Sequence, residues 1–156
     1  MADFNKAIEV ILKNEGGYVN NPNDPGGETN FGICKKSYPN VDIKKLTKDG
    51  AKAIYKKDYW DKVKGDQIND QNLATAFFDF AVNAGTRTAI KQIQKTLNVT
   101  ADGVLGPKTM AALNASSGLS KSFAKRRVRY YIDIVKNKPT QIEFLASWIN
   151  RIIDLV

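Results

Sequence analysis

Apolar residues recur at helical spacing through most of the chain. The first stripe consists of Phe4, Ala7, Ile8, Ile11 and Leu12. These positions share one helical face, so we expect Asp3 to cap a helix that ends near Glu15, where Gly16 and Gly17 follow. Similar stripes follow Thr47 and Thr86, begin at Pro107, and occupy residues 123–135 and 144–152. Before the last stripe, Thr140 and Glu143 have the spacing of a capping box.

Two segments depart from this amphipathic pattern. Residues 72–84 are apolar almost all round and are closed by Gly85, which predicts a buried central helix. Residues 16–32 are rich in Gly, Pro and Asn, which favours an ordered loop or a short β-hairpin. Together the patterns predict a mainly α fold of about seven helices, with a small loop or hairpin insert after the first helix. With no repeat or linker visible, we expect one domain over residues 1–156.

Composition excludes several kinds of chemistry. The chain has 42% hydrophobic residues, no His and one Cys. A core can therefore form, but a His-based triad, a His-ligated zinc and an internal disulfide are excluded. We expect no metal or cofactor, so acid–base chemistry must use carboxyl, amine, phenol or thiol groups. A secretory signal is not recognisable at the start of the chain, which predicts synthesis in the cytoplasm.

The net charge of +8 is unevenly distributed. Residues 1–33 contain five carboxylates and two lysines, a net charge of −3, so the remainder carries +11. A basic body suits nucleic acid, an anionic membrane or the bacterial wall with its peptide carboxylates, and it also fits an ordinary solvated surface. The net charge alone does not distinguish between these partners and a solvated surface.

The acidic N-terminal segment contains the candidate chemistry. Glu15 would stand at the C-terminal end of the first helix, where the negative pole of the helix dipole favours a protonated carboxyl. A protonated carboxyl can act as the general acid of glycan hydrolysis, which commonly uses a second carboxylate as well. Asp24, in the Gly/Pro-rich turn, is the natural second group, and the Thr29 hydroxyl could position a water. Taken singly, Glu15 is also compatible with an exposed helix end and Asp24 with a turn residue.

The run EGGYVNNPNDPGGETNFGI, residues 15–33, resembles the N-terminal signature of glycoside hydrolase family 108, a group of phage and bacterial lysozyme-like muramidases. The resemblance implies a lysozyme-like helical domain with Glu15 as catalytic acid. The order Glu15, Asp24, Thr29 is also similar to that of phage-type lysozymes, with a shorter interval between the last two residues. Tyr18 and Asn30, within the same motif, become candidates for substrate binding.

The second half of the chain offers further candidates. Asp79 is a carboxylate in an apolar helix, so it either pairs with an arginine such as Arg87 or lies with Asn83 on the floor of a sugar cleft. Trp60, close to two tyrosines, fits either a sugar-stacking role or the core. Residues 98–109 resemble a segment of predicted peptidoglycan-binding domains, although a tight Asp-Gly turn explains the same residues. Lys125, Arg126, Arg127 and Arg129 form a basic cluster that suits a solvated face or docking on anionic wall polymer.

The resemblance implies a peptidoglycan hydrolase that cleaves the β-1,4 bond between N-acetylmuramic acid and N-acetylglucosamine. Residues 1–85 would form the catalytic segment and residues 86–156 a helical, peptidoglycan-binding-like segment packed on it. Two alternatives are a lytic transglycosylase and a non-catalytic wall-binding or secretion-associated protein. We expect a monomer that binds glycan strands, neither binds nucleic acid nor inserts stably into a membrane, and reaches the wall through a holin, lysis or a secretion system.

Overall fold

The computed structural model describes residues 1–13, 15–21 and 26–156. Within these residues, seven α-helices dominate, and an antiparallel two-stranded hairpin follows the first helix. The helices are α1 (Phe4–Lys13), α2 (Lys48–Tyr55), α3 (Gln71–Ala84), α4 (Thr86–Thr96), α5 (Pro107–Ala115), α6 (Leu119–Asn137) and α7 (Ile142–Ile153). The strands are β1 (Thr29–Asn30) and β2 (Ile33–Cys34). The predicted mainly α fold with a small hairpin insert is confirmed.

Several helices begin where their capping residues predict. The Asp3 carboxylate accepts a hydrogen bond of 2.8 Å from the Asn5 N–H at the start of α1. The Thr47 hydroxyl accepts one from the Gly50 N–H at the start of α2. Pro107 is the first residue of α5, where a missing N–H costs nothing. These local signals therefore set the positions of three helices.

Two predicted caps are wrong. Gly85, with φ of 88°, is the residue between α3 and α4, so Thr86 is already the first residue of α4 rather than its cap. At the other site, Pro139 starts a short 3-10 turn that includes Thr140, and α7 begins only at Ile142. Because proline fixes its own φ near the helical value, the chain enters α7 through this turn and not through a capping box.

Helix α3 lies at the centre of the molecule, as predicted, and packs against α1, α4 and α6. Its residues from Leu73 to Ala81 are all buried. Phe78 meets Trp60 edge-on, and Phe77 and Phe80 both meet Phe123 of α6 in the same way. Burying a side chain of this size contributes about 1.5–3 kcal/mol, so the phenylalanines of this helix stabilise the core strongly.

Helix α7 packs along α6. Trp148 of α7 stacks on Tyr131 of α6, with ring centroids 4.7 Å apart and planes 18° from parallel. Arg151 of the same helix lies 3.5 Å from Glu15, just beyond the end of α1. Among the described residues, no helix combines the length and apolarity that a membrane crossing requires.

The segment before α5 forms a turn held by its own side chains. The Asp102 carboxylate accepts hydrogen bonds from the Val104 N–H at 2.8 Å and from the Gln94 amide at 2.7 Å. The Gln94 side chain also accepts one from the Gly103 N–H. These contacts give Asp102 a structural role in the Asp-Gly turn.

Candidate active site

Glu15 lies just beyond the C-terminal end of α1, where its own N–H still bonds the Leu12 carbonyl at 3.3 Å. Its side chain is 22% exposed, so the carboxyl is sheltered but still accessible from solvent. The predicted position at the end of the first helix is thus observed. Three elements that are distant in sequence surround the carboxyl: the hairpin turn, α2 and α7.

The hairpin turn approaches the carboxyl at Gly32. Phe31 and Gly32 connect the two strands with positive φ angles of 50° and 77°. A Cβ atom on Gly32 would lie 2.7 Å from Oε2 of Glu15 and would also overlap the Tyr55 hydroxyl. Only glycine therefore allows the turn to close against the Glu15 carboxyl, since it accepts the left-handed conformation and has no side chain.

Tyr55, the last residue of α2, also contacts this turn. Its side chain is 1% exposed, and its hydroxyl donates a hydrogen bond of 2.9 Å to the carbonyl of Phe31. Burial raises the pKa of Tyr55, and the nearby charge of Glu15 raises it further. Tyr55 is therefore a neutral donor at physiological pH that fixes the hairpin turn beside Glu15.

Arg151 of α7 closes the site on another side. Its Nη1 atom is 3.5 Å from Oε1 of Glu15, while its Nε atom donates to Oδ1 of Asp79 at 2.6 Å. Burial opposes the charge of Arg151, but the two carboxylates outweigh it and raise its pKa. Arg151 thus stays cationic beside Glu15, with its tighter bond to Asp79.

Asp79 lies on α3 and is 1% exposed. Its second oxygen accepts a 2.5 Å hydrogen bond from Nη2 of Arg127. The Arg127 side chain is also 1% exposed, and its guanidinium lies 5.1 Å from the ring centre of Phe80. This arrangement corrects the expected partner: Arg87 lies beside Gly103, and the arginines at Asp79 are Arg127 and Arg151. A buried carboxylate with two arginines is a structural anchor for α6 and α7 on α3.

Asp24 and Thr29 complete the predicted catalytic group. Asp24 lies outside the described residues. Thr29 is half-buried in β1, its backbone pairs with Val19, and no hydrogen bond between described residues joins its side chain to Glu15. Its catalytic role therefore stays a prediction.

Asn30 is 6% exposed and faces the interior. Its amide nitrogen donates to the carbonyls of Ile43 at 3.1 Å and Leu46 at 3.2 Å. These bonds hold the hairpin on the segment before α2. The side chain thus has a structural role under the hairpin, and its expected part in substrate binding stays a prediction.

Trp60 is buried as well. Its side chain is wholly buried, and its indole N–H donates to the Asp66 carboxylate at 2.8 Å. A five-residue π-helical segment, Lys56–Trp60, directs the ring inward against Phe4 and Phe78. Trp60 is therefore a core residue and offers no face to a sugar.

Tyr18 and Asn83 remain accessible. Tyr18 is 40% exposed, and its hydroxyl donates to the Glu28 carboxylate at 3.2 Å. Asn83, exposed near the end of α3, donates to the Tyr131 hydroxyl at 2.5 Å. Both can meet a ligand, so substrate binding stays a prediction for each.

The two arginines were missed at the level of sequence, although a signal for each exists. Arg127 lies four residues from both Phe123 and Tyr131, which are buried on the inner face of α6. Arg151 immediately precedes the buried Ile152 on α7. A cation within an apolar stripe needs a buried anion, and Asp79 is such an anion in the central helix. Because Arg127 lies in a run of basic residues, it was interpreted as part of that cluster and not as a partner of Asp79.

Among residues 1–13, 15–21 and 26–156, no group of three His, Cys, Asp or Glu side chains could hold a metal ion. The described geometry is a sheltered carboxyl beside a cation, set between helices and a hairpin. A sheltered carboxyl of this kind could serve as the general acid of a glycoside hydrolase.

Comparison with known proteins agrees with this class. Residues 8–85 match the model of glycosyl hydrolase 108, and residues 88–153 match that of a predicted peptidoglycan domain. The chain belongs to the glycosyl hydrolase 108 family. Among solved structures, it is similar to that of Brucella abortus SagA, with 33% identity, a TM-score of 0.82, and coverage of 97% of this chain and 90% of that one. None of the curated proteins matches the chain.

These matches establish a glycoside hydrolase that acts on peptidoglycan and has a lysozyme-like function. The family resemblance inferred from residues 15–33 is confirmed. Glu15, Gly32, Tyr55 and Asp79 lie in the glycosyl hydrolase segment, whereas Arg127 and Arg151 lie in the peptidoglycan segment. The candidate site therefore includes residues from both matched regions.

Proposed function

We propose that the protein is an N-acetylmuramidase that cleaves the β-1,4 bond between N-acetylmuramic acid and N-acetylglucosamine, with Glu15 as general acid. The observation that carries this proposal is the position of Glu15, a carboxyl 22% exposed at the end of α1 and faced by Arg151 and the hairpin. The match to the glycosyl hydrolase 108 model and the peptidoglycan domain supports the substrate class.

The acid step follows from these neighbours. Protonated Glu15 donates its proton to the glycosidic oxygen as the bond to the anomeric carbon breaks. The carboxyl gains negative charge during this step, and the Arg151 guanidinium stabilises that charge from 3.5 Å. Because Arg151 bonds Asp79 more closely, only part of its attraction acts on Glu15.

The second half of the reaction is assigned to Asp24, with Thr29 positioning a water. A carboxylate on the opposite side of the sugar would either activate that water or bind the anomeric carbon directly. A lytic transglycosylase would need no such group, because the muramic acid hydroxyl attacks internally. Asp24 is therefore the residue that separates the two reaction types.

We further infer that residues 1–85 and 86–156 act as one domain. Asp79 of the first segment bonds Arg127 and Arg151 of the second, and all three side chains are largely buried. The protein would act as a lytic enzyme on the wall once a holin, lysis or a secretion system gives it access.

A product assay tests the reaction. Purified protein is incubated with peptidoglycan, and the soluble products are identified by mass spectrometry. Reducing muramic acid ends are expected. Ends in the 1,6-anhydro form would contradict the muramidase assignment in favour of a transglycosylase, and release of no products by folded protein would contradict both.

Two substitutions test the residues. Glu15→Gln preserves shape but removes the proton, so kcat should fall by about 10²–10⁴-fold with little change in stability. Asp24→Asn should also lower kcat strongly. Glu28→Gln, which alters another carboxyl of the same loop, is the matched control and should keep most of the activity.

A further inference from the structure

A polar groove of about 240 Å³ lies between the end of α4 and one face of α6. Four cations line it: Lys95, Lys125, Arg126 and Arg129. Ser122 lies three and four residues before Lys125 and Arg126, and Arg129 follows them by four and three, so all four lie on the same side of α6. This face differs from that of Arg127, which turns inward to Asp79.

The positive charges of the groove are not neutralised by the described part of the chain. Of the ion pairs formed there, none includes any of the four cations. An ordinary solvated face would place such charges apart on a convex surface. Here Lys95 approaches from α4 and the others from α6, so the charges converge on one concavity. Convergence costs repulsion, which a bound anion would relieve.

Hydroxyl and amide groups stand between these cations. Thr96, Asn98 and Ser122 line the same groove, and no apolar side chain is among its lining residues. A membrane surface would need apolar groups to insert, and single-stranded nucleic acid would need aromatic faces for its bases. A short chain that carries both carboxylates and amides matches the groove better, because arginine binds carboxylates and the polar groups can bond amides.

We propose that this groove binds the acidic peptides attached to the glycan strands of peptidoglycan. These peptides carry several free carboxylates along a short backbone. The proposal rests on the action on peptidoglycan, and it adds a recognition site that is separate from the groups around Glu15. All lining residues fall within the segment that matches the predicted peptidoglycan domain. A peptide held there would tether the enzyme to its polymer and raise the local concentration of glycan at the acid.

Binding is tested with the free wall tetrapeptide, L-alanyl-D-glutamyl-diaminopimelyl-D-alanine, by calorimetry on the full chain. The variant Lys125→Gln/Arg126→Gln/Arg129→Gln should bind it about tenfold more weakly. The matched control, Lys108→Gln/Lys121→Gln/Lys136→Gln, removes the same charge at exposed sites outside the groove and should stay within about twofold. Circular dichroism verifies that both variants are folded.

Further arms check the chemistry of the ligand. The tetrapeptide with amidated carboxylates should bind at least about tenfold more weakly than the free acid. Amide resonances of Thr96 and Ser122 in the wild-type protein should shift on titration with the free acid. Equal weakening in the control variant, equal binding of the amidated peptide, or tighter binding of inorganic phosphate or duplex DNA would each overturn the proposal.

The binding assay requires no turnover, so its failure is distinct from failure of the proposed reaction. If the groove variant binds normally while Glu15→Gln is inactive, the peptide site is wrong and the muramidase stands. If the tetrapeptide binds as expected while the products contradict a muramidase, the groove stands and the reaction is wrong.

Discussion

Arg151 contacts two carboxylates with two different nitrogen atoms: Nε lies 2.6 Å from Asp79 and Nη1 lies 3.5 Å from Glu15. The proposed acid is therefore linked to the central helix through one side chain. Anything that moves Arg151 changes both the anchor at Asp79 and the setting of Glu15.

Replacing Arg151 with lysine separates charge from geometry. A single ammonium cannot reproduce a planar fork that reaches two partners, so Glu15 loses its neighbour while Asp79 keeps Arg127. We expect kcat to fall by about 10²-fold, with a smaller change in KM. Steady-state kinetics on soluble glycan chains measure both values. Arg87→Lys, in an exposed position, is the control, and a variant Arg151→Lys with wild-type kcat would remove Arg151 from the site.

Replacing Asp79 with asparagine leaves Arg127 and Arg151 without their buried anion. Removing one partner of a buried ion pair costs about 3–5 kcal/mol, so urea unfolding should show a loss of that size. Asp133→Asn changes an exposed carboxylate on α6 and should alter the free energy of unfolding by less than about 0.5 kcal/mol. Equal losses in the two variants would mean that the buried cluster does not anchor α6 and α7.

The glycine in the hairpin turn provides a paired test. Both Gly32 and Gly118 have positive φ, at 77° and 67°, so Gly32→Ala and Gly118→Ala each cost about 1 kcal/mol or more of backbone strain. Only the Gly32 methyl would meet Glu15, because nothing lies within 4 Å of a Cβ at Gly118. We expect Gly32→Ala alone to lose most of the activity at a temperature where both variants are folded. Similar activity in both would separate the hairpin turn from the acid.

The pKa of Tyr55 leads to an alkaline effect. Its folded-state pKa lies above the ordinary value of 10.0, through burial first and then the charge of Glu15. The corresponding stabilisation is complete below about pH 10 and is lost as the pH rises further, since the unfolded chain releases the proton more readily. Tyr55→Phe should lose less stability than the wild type between pH 9 and about pH 11. Urea unfolding across that range measures the slope, and identical slopes would contradict the assignment.

The sequence predicts the parts of this protein that depend on local signals. Asp3, Thr47 and Pro107 mark helix starts, and the apolar run in residues 72–84 identifies the central helix. The end of α1 shortly before Glu15 follows from the two glycines after that residue. Each of these features depends on a few neighbouring residues, so it can be predicted from one sequence.

The environment of Glu15 depends on long-range contacts. Arg151 is 136 positions from Glu15 in the sequence, and Asp79 lies on α3 between them. Sequence spacing therefore does not predict that these side chains meet. The same limit applies to Trp60, where a π-helical segment rotates the ring into the core. A periodicity of 3.6 residues does not anticipate that rotation, which is why the aromatic cluster was open to two interpretations.

The separation between Glu15 and Arg151 also bears on how the enzyme is made. A ribosome exposes the acid early, but the residue that completes its surroundings emerges only after 136 further positions have been translated. An unfinished chain therefore contains Glu15 but not yet Arg151, so the proposed site is incomplete. Synthesis order thus delays the assembly of the proposed active site until both matched segments exist and α7 has packed on α6.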